Sequence, residues 1–442
     1  MNGEFERVPA EPSLSRSRVL YAWYVTVLMS LTYLVSLIDR NLLAVALADV
    51  KGELHLSDTE LGVLYGTGFA LLYCVISIPI GQLADRLNRK NLIAAGLAIW
   101  TLATIATAFS HTFRSFLFFR VLVGMGEATL VPAGMSLLMN LVPKSQQARA
   151  TGIFAMGGSQ GQTVAFLVGG PLLTMWASAG GVGILGHHFV AWRGLFVLAG
   201  IPGLILIPLL LTIREPPRPH AETQVPIRAT LRSMQVRWKT YLLHFSSFAA
   251  VATVILVLAA WALSVFVRNH GVTAATAGVG LGLISAASMP SGTFLGAWLL
   301  DRLTAKGVRG GSPLVIGSSL LLCIPPALIF GFSHSTAWAF VGYGLLLFTV
   351  AFSISPGWMG VQTVTPPENR GLAMALFVAL YTVIALGLGP VIVGALSDHM
   401  FKGPGGLALA VMTSIIAVCV AGAAVAYGGR SAFIAATPGK EA

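Results

Sequence analysis

Twelve stretches of about 20 or more predominantly apolar residues follow one another along this chain of 442 residues, and no other feature limits its folding as severely. Runs of that length match a hydrocarbon layer about 30 Å thick, so each reads as a helix that crosses a membrane. Their cores are 19–47, 60–84, 91–110, 113–142, 150–178, 190–213, 241–267, 276–300, 314–332, 337–364, 372–396 and 407–427. With 56% of residues hydrophobic and 10% charged, the chain holds far more apolar surface than one soluble core can bury. The expected fold class is an all-α membrane protein with twelve transmembrane helices.

A net charge of +11 raises the question of a nucleic-acid partner, but the basic residues alternate by loop and do not cluster. With the N-terminus placed in the cytoplasm, 20 of the 27 Lys and Arg residues fall in cytoplasmic segments and 5 in external loops. That bias is the positive-inside signature, so both termini are expected in the cytoplasm and no nucleic acid is expected. The polar start carries no cleavable signal pattern, and the first helix is expected to be retained. Cys74, Cys323 and Cys419 all lie in apolar runs and read as small core residues, not as a disulfide framework.

Two Lys/Arg residues remain, Arg40 and Arg120, and they sit inside apolar runs. Arg120 shares its run with Glu127; seven residues apart on a helix, the two are about 20° from eclipsed and about 10 Å apart along the axis. Both therefore point the same way. Charges at membrane depth cost at least about 2.5 kcal/mol each, and they persist where they face a bundle interior, a partner charge or a watery cavity. Asp39 and Arg40 in the first run supply possible partners. A desolvated carboxylate takes a proton more readily while a neighbouring arginine opposes this, so Asp39 and Glu127 are the candidate proton-coupling acids. Fixed structural ion pairs with Arg40 and Arg120 are the competing reading. The second half has no such buried charge, which shows that this architecture does not need one to hold together.

Comparison of the two halves at an offset of 216 finds DRLNRK at 85–90 returning as DRLTAK at 301–306. At the same offset Gly62, Val63 and Gly66 match Gly278, Val279 and Gly282, giving each half a small face for close helix contact. Arg149 also precedes Gly170-Pro171 by about the distance from Arg370 to Gly389-Pro390. The chain reads as a duplicated six-helix unit. Its expected divisions are a tail at 1–18, a first bundle at 19–213, a linker at 214–240, a second bundle at 241–427 and a tail at 428–442. Within the linker, a Pro-rich start precedes ATLRSMQVRWK, which either lies along the inner leaflet or forms a solvated loop.

The stretch from Gly81 through Asp85, Arg86, Arg89 and Lys90 resembles the loop 2–3 signature of the major facilitator superfamily, G-x-L-x-D-R-x-x-R followed by Arg or Lys. Asp39-Arg40-Asn41, together with Arg120-x-x-x-Gly124-Met-Gly126-Glu127-Ala128, resembles the Spinster branch of that superfamily. The second copy of the loop signature departs from the pattern, with Ala297 and Ala305 replacing its glycine and arginine. The resemblance implies two pseudo-symmetric six-helix bundles around a central cavity, working by alternating access. It also implies a gate in which Asp85 braces the start of helix 11 near Arg370 and, by symmetry, Asp301 the start of helix 5 near Arg149, with Arg302 among the gate residues. A carboxylate facing a helix N-terminus supplies the physics of such a brace.

Tyr33, Ser36, Gln160 and Gln162 extend a possible polar wall around Arg40 and Arg120, which are the candidate anion-binding groups because a guanidinium offers a planar fork of five donors. Across from them Trp358, Gln362 and Tyr381 are the candidates from an otherwise apolar second half, beside bulky residues such as Trp261, Phe266, Phe294 and Trp298. Packing is the alternative for each. No phosphate-binding loop, hydrolase constellation or metal-ligand spacing is present, so neither an enzyme nor a cofactor is expected. The expected function is proton-coupled transport of an amphipathic anionic or zwitterionic lipid, the resemblance implying a lysophospholipid or sphingoid phosphate. A small organic anion symporter, a multidrug efflux antiporter and a non-transporting membrane receptor are the alternatives. The expected partners are that substrate, protons and membrane lipids, with the chain acting as a monomer in a bacterial inner membrane.

Overall fold

A computed structural model describes residues 16–184, 186–216, 227–366 and 369–437. Twelve long helices run through it: α1 (Arg16–Leu54), α2 (58–86), α3 (Arg89–Thr107), α4 (Phe113–Leu141), α5 (Gln147–Ser178), α6 (Ala191–Leu211), α7 (Trp238–His270), α8 (Ala274–Ala305), α9 (Gly311–Phe332), α10 (Thr336–Val364), α11 (Arg370–His399) and α12 (Gly406–Gly428). Eleven of those described are both long and apolar enough to cross a membrane. The remaining one, α5, has ample length at 32 residues, but its glycines and the paired Gln160 and Gln162 dilute its apolar character. A linker helix (Ile227–Val236) and a terminal helix (Arg430–Ala436) lie at the end of the molecule where α1 begins and α12 finishes, called here the terminal face. A small antiparallel hairpin, β1 (Val182–Ile184) and β2 (His187–Phe189), lies at the far face.

Local chemistry sets where several helices begin. Ser57 and Glu60 form a reciprocal cap at the start of α2, and Asn88 and Thr273 cap α3 and α8, which satisfies amides that lipid cannot. Packing then follows size. Helices α1, α5 and α6 group together, as do α3, α4 and α6, while α7, α9, α10 and α12 form a corresponding second set. The two sets meet along α2 with α11 and along α5 with α8. Both seams are lined by the repeated glycines. A methyl group on Gly62 or Gly66 would strike the backbone at Pro390 or Leu386, and one on Gly278 would strike the carbonyl of Phe166. At the first seam each helix also widens into a π-helical turn, Val63–Thr67 facing Val383–Leu388, and Thr67 Oγ1 donates across it to Gly387 O at 2.5 Å.

The hydrogen bonds and ion pairs that join the two sets crowd onto the far face. Asp58, at the start of α2, receives both Nη atoms of Arg268 at 2.8 and 3.0 Å, Lys51 Nζ at 2.5 Å and Ser397 Oγ at 2.7 Å. Asp398, at the end of α11, accepts from the amides of Asp58 and Thr59 at 3.0 and 2.7 Å and from Thr59 Oγ1 at 2.7 Å. At the terminal face Arg149, Asp301, Arg302 and Arg370 are exposed. Arg302 lies over the Trp298 ring of its own helix, and Arg370 reaches Thr365 O within the second set. Among the described residues, the charged contacts that join the two sets lie at the far face.

Candidate functional site

The four charges singled out by sequence converge midway along α1 and α4. Arg40 crosses from α1 to α4 and donates to Glu127 Oε2 at 2.7 Å. Its guanidinium also lies over the Phe69 ring at 4.1 Å and the Tyr73 ring at 5.6 Å, both on α2. Asp39, one residue earlier, points a different way and accepts a hydrogen bond at Oδ2 from Thr104 Oγ1 of α3. Arg120 is fully buried beneath them and makes one long contact, 3.4 Å, to the carbonyl of Arg40. The close approach of these helices depends on small residues: side chains at Gly124 and Gly126 would collide with the backbones of Phe69 and Gly96.

Pairing in this cluster is incomplete. Asp39 Oδ1, Glu127 Oε1, Arg40 Nε and the Nε and Nη1 of Arg120 are buried without a hydrogen-bond partner. A buried unsatisfied polar group costs about 1–3 kcal/mol, and more when charged. A cluster holding five such atoms gains from any proton, water or anion that completes it. Arg40 is its opening, because its side chain retains 17% of its surface while that of Glu127 retains 1%.

Around this opening the other expected residues separate into near and far. Tyr33 is half-buried, stacks on Phe154 of α5 at 4.9 Å and lies within electrostatic reach of Arg40. Gln160 and Gln162 are half-buried on the same stretch of α5, where Gly158 and Gly161 pack against Tyr33 and Leu37. Ser36 is buried. From the second set Tyr381 approaches Tyr33, Tyr73 and Arg40 closely enough to interact electrostatically. Behind it stand Phe377 and Phe248, each 5.4 Å from its ring, with Trp358 edge-on to Phe377 at 5.6 Å. Gln362 is half-buried one turn beyond Trp358 on α10. The bulky neighbours divide differently: Trp261 and Phe266 are fully buried core residues, whereas Phe294 and Trp298 face outward.

The expected gate is only partly in view. Gly81, Asp85 and Arg86 lie on α2, but their side-chain surroundings are outside the described residues. Arg149 and Asp301 do not meet here. Arg89, expected at the gate, is instead buried and committed within the first set, with Nε 2.6 Å from Glu215 Oε1 and Nη1 bonded to Ser136 at its carbonyl and hydroxyl. Lys90 Nζ donates to Leu211 O at 3.1 Å. These two bases fasten the start of α3 to the ends of α4 and α6, a use that topology counting does not reveal. Thr104, Phe69 and Tyr73 were not singled out by sequence, and neither was His244, a buried imidazole bonded through Nε2 to Gly357 O at 2.9 Å.

Comparisons with known proteins agree with this architecture. The profile of the Major Facilitator Superfamily matches residues 29–390. Protein spinster of Drosophila melanogaster is 24% identical over 91% of this chain and 68% of its own length. An MFS-type efflux pump of Mycolicibacterium smegmatis is 28% identical, covering 88% of this chain and 87% of its own. A hexuronate transporter of Bacillus subtilis is 26% identical over 89% and 93%. The crystal structure of a bacterial homolog to human lysosomal transporter Spinster, in an inward-facing and occupied conformation, superimposes with a TM-score of 0.84 at 25% identity, covering 95% of this chain and 99% of that one.

Proposed function

The chain belongs to the major facilitator superfamily, and from that premise we propose that it is a proton-coupled, alternating-access transporter of amphipathic anionic or zwitterionic lipids such as lysophospholipids or sphingoid phosphates. The observation that carries the substrate class is the contrast across the opening: Arg40 and its unsatisfied neighbours on one side, and on the other the half-buried Tyr381 and Trp358, backed by the buried Phe377 and Phe248. A phosphate or carboxylate head suits the guanidinium fork, and an acyl tail suits the aromatic wall. A tail leaving water gains about 0.8 kcal/mol per methylene, but a tail leaving lipid gains much less. The wall therefore accommodates the chain while the head group supplies selectivity.

Proton coupling falls to Asp39 and Glu127, with Arg40 and Arg120 as the groups that answer to their charge. Glu127 is ion-paired, whereas Asp39 has a neutral hydroxyl as its hydrogen-bond partner. Arrival of an anion at Arg40 would compete with Glu127 for the guanidinium, linking the two cargoes at one place. The positive-inside bias supports a cytoplasmic terminal face in a bacterial inner membrane, where closure of the far face would correspond to an inward-facing carrier working as a monomer. Asp85 and Asp301 would brace the starts of α11 and α5 once the terminal face closes.

A second reading, carriage of a small organic anion with protons, is favoured by the hexuronate transporter and by a D-galactonate transporter of Escherichia coli, 24% identical over 89% of this chain. Uptake into proteoliposomes under an imposed proton gradient separates the two. Competition by lysolipids that strengthens with chain length supports the lipid reading. Uptake of sugar acids with no dependence on chain length, abolished by Arg120→Ala, replaces it.

A further inference from the structure

Helices α2 and α11 are antiparallel partners, so each face of the molecule brings the start of one beside the end of the other. At the far face the end of α11 supplies Asp398, whose two oxygens take the first two amides of α2. At the terminal face the end of α2 and the start of α11 lie on the same side of the molecule. Between these ends the backbones approach closely at Gly62, Gly66 and Gly394, where a side chain would strike Pro390, Leu386 and Asp58, and the two π-helical turns face each other.

The pseudo-equivalent seam, α5 with α8, has the same outline and different chemistry. Ala275 stands 216 positions after Thr59, and its amide is likewise bonded across the seam, but to a hydroxyl, Thr174 Oγ1, at 2.9 Å. No π-helical turn interrupts α5 or α8, and Gly170 packs directly on Ala274 and Gly278. One seam is closed by carboxylates, the other by a hydroxyl and glycine backbone.

We propose that Asp398, with the Asp58–Arg268 pair beside it, is the latch of the far face, while the α5/α8 seam acts as the plain hinge. Two observations carry this. First, the bonds that cross the α2/α11 seam at the far face are charge-assisted, and such bonds are roughly twice as strong as neutral ones. Secondly, Asp58 is gripped from both sets, by Lys51 of α1 and by Arg268 of α7, so opening the far face strips Arg268 from a carboxylate that is 2% exposed. Lys51 stays with Asp58 when the sets separate, which keeps that carboxylate paired in both states and leaves the bonds of Arg268, Ser397 and Asp398 as those that must break at this end of α2. Asp398 acts on transport by positioning α2, without touching substrate.

This inference takes the alternating-access reading as its basis, and the test separates the two. Spin labels at Arg114 and Lys402 report the far face in lipid nanodiscs, and a second pair at Arg149 and Arg309 reports the terminal face. Asp398→Asn and Arg268→Gln should each raise the far-open population about tenfold, as expected for loss of a charged hydrogen bond. Thr174→Val, which removes the equivalent neutral bond, should change it by about threefold or less. Asp398→Glu should stay near wild type. Equal effects of Asp398→Asn and Thr174→Val, or no effect of either acidic-latch variant, overturn the latch. If no far-open state is populated at any pH with substrate present, the rocking motion itself fails, and the latch with it.

Discussion

The two halves of this transporter repeat one another in outline and differ in what they bury. The first six helices enclose Asp39, Arg40, Arg120 and Glu127; the second six enclose aromatic rings and one histidine, His244. Both pack around glycine contacts and both bury tryptophans, Trp100 and Trp192 in one and Trp261 in the other. The apolar half shows that mid-membrane packing stands without buried ions, which is the ground for proposing a working role for these four, unlike the buried Arg89, whose bonds tie helix ends together. Replacing a buried ion pair by apolar side chains is often neutral for stability, whereas breaking one by removing a single partner is costly.

That contrast can be attacked directly. The largest effect is expected from stranding a charge: Arg40→Met leaves Glu127 buried and unpaired and should cost about 3–5 kcal/mol, read as a large fall in thermal stability in detergent. Adding Glu127→Leu should restore most of the stability and none of the proton-driven uptake. A stable double variant with normal, pH-dependent transport would erase the distinction between the halves.

Asp39→Asn keeps an acceptor for Thr104 and should leave the melting temperature within a few degrees. Its proton-driven uptake should fall at least about tenfold and lose its pH dependence, consistent with about 1.4 kcal/mol or more of lost coupling. Unchanged pH dependence would move the coupling role to Glu127 alone.

On the apolar side, Trp358→Ala and Tyr381→Ala should weaken binding of long-chain lysolipids by about 1 kcal/mol each, or about fivefold, while short-chain analogues with the same head group are spared. Equal losses for both chain lengths would make that wall a general surface, with no part in holding a tail. The smallest effect is expected for Thr104→Val, which removes one neutral donor to Asp39. It should cost about 1 kcal/mol of stability and shift the pH at which uptake is half-maximal, with little change in maximal rate.

Much of this was legible in the chain before folding. Full charges inside apolar runs are rare enough to mark Asp39, Arg40, Arg120 and Glu127 by themselves, and the offset of 216 found the glycines that line both seams. Which acid pairs with which base was not legible, because adjacent residues on a helix diverge by about 100° and only the neighbours decide what each meets. Thr104 stayed hidden for a related reason. Hydroxyls in membrane helices commonly bond their own backbone, as Thr26, Thr32 and Thr107 do here, so one that reaches an acid looks like any other. Asp58 and Asp398 passed unnoticed because carboxylates at helix ends are ordinary, and His244 because only full charges were weighed. For Arg89, counting charges for topology correctly explained its side of the membrane and missed its bonds to Glu215 and Ser136.

The clasp at the far face has a consequence for the solution that bathes it. Lys51 and Arg268 each keep about a third of their side-chain surface exposed, at 31%, while Asp58 keeps 2%. Mobile ions therefore reach the two cations far more easily than the anion between them. At physiological ionic strength the Debye length is about 8 Å, and at 1 M it shrinks to about 3 Å, close to the bond lengths themselves. Salt raised only in the compartment facing the clasp should loosen it, while the same salt on the other side should leave it intact. In vesicles, a one-sided salt jump thus becomes a compass, reporting which way each carrier is inserted by the direction in which its equilibrium swings.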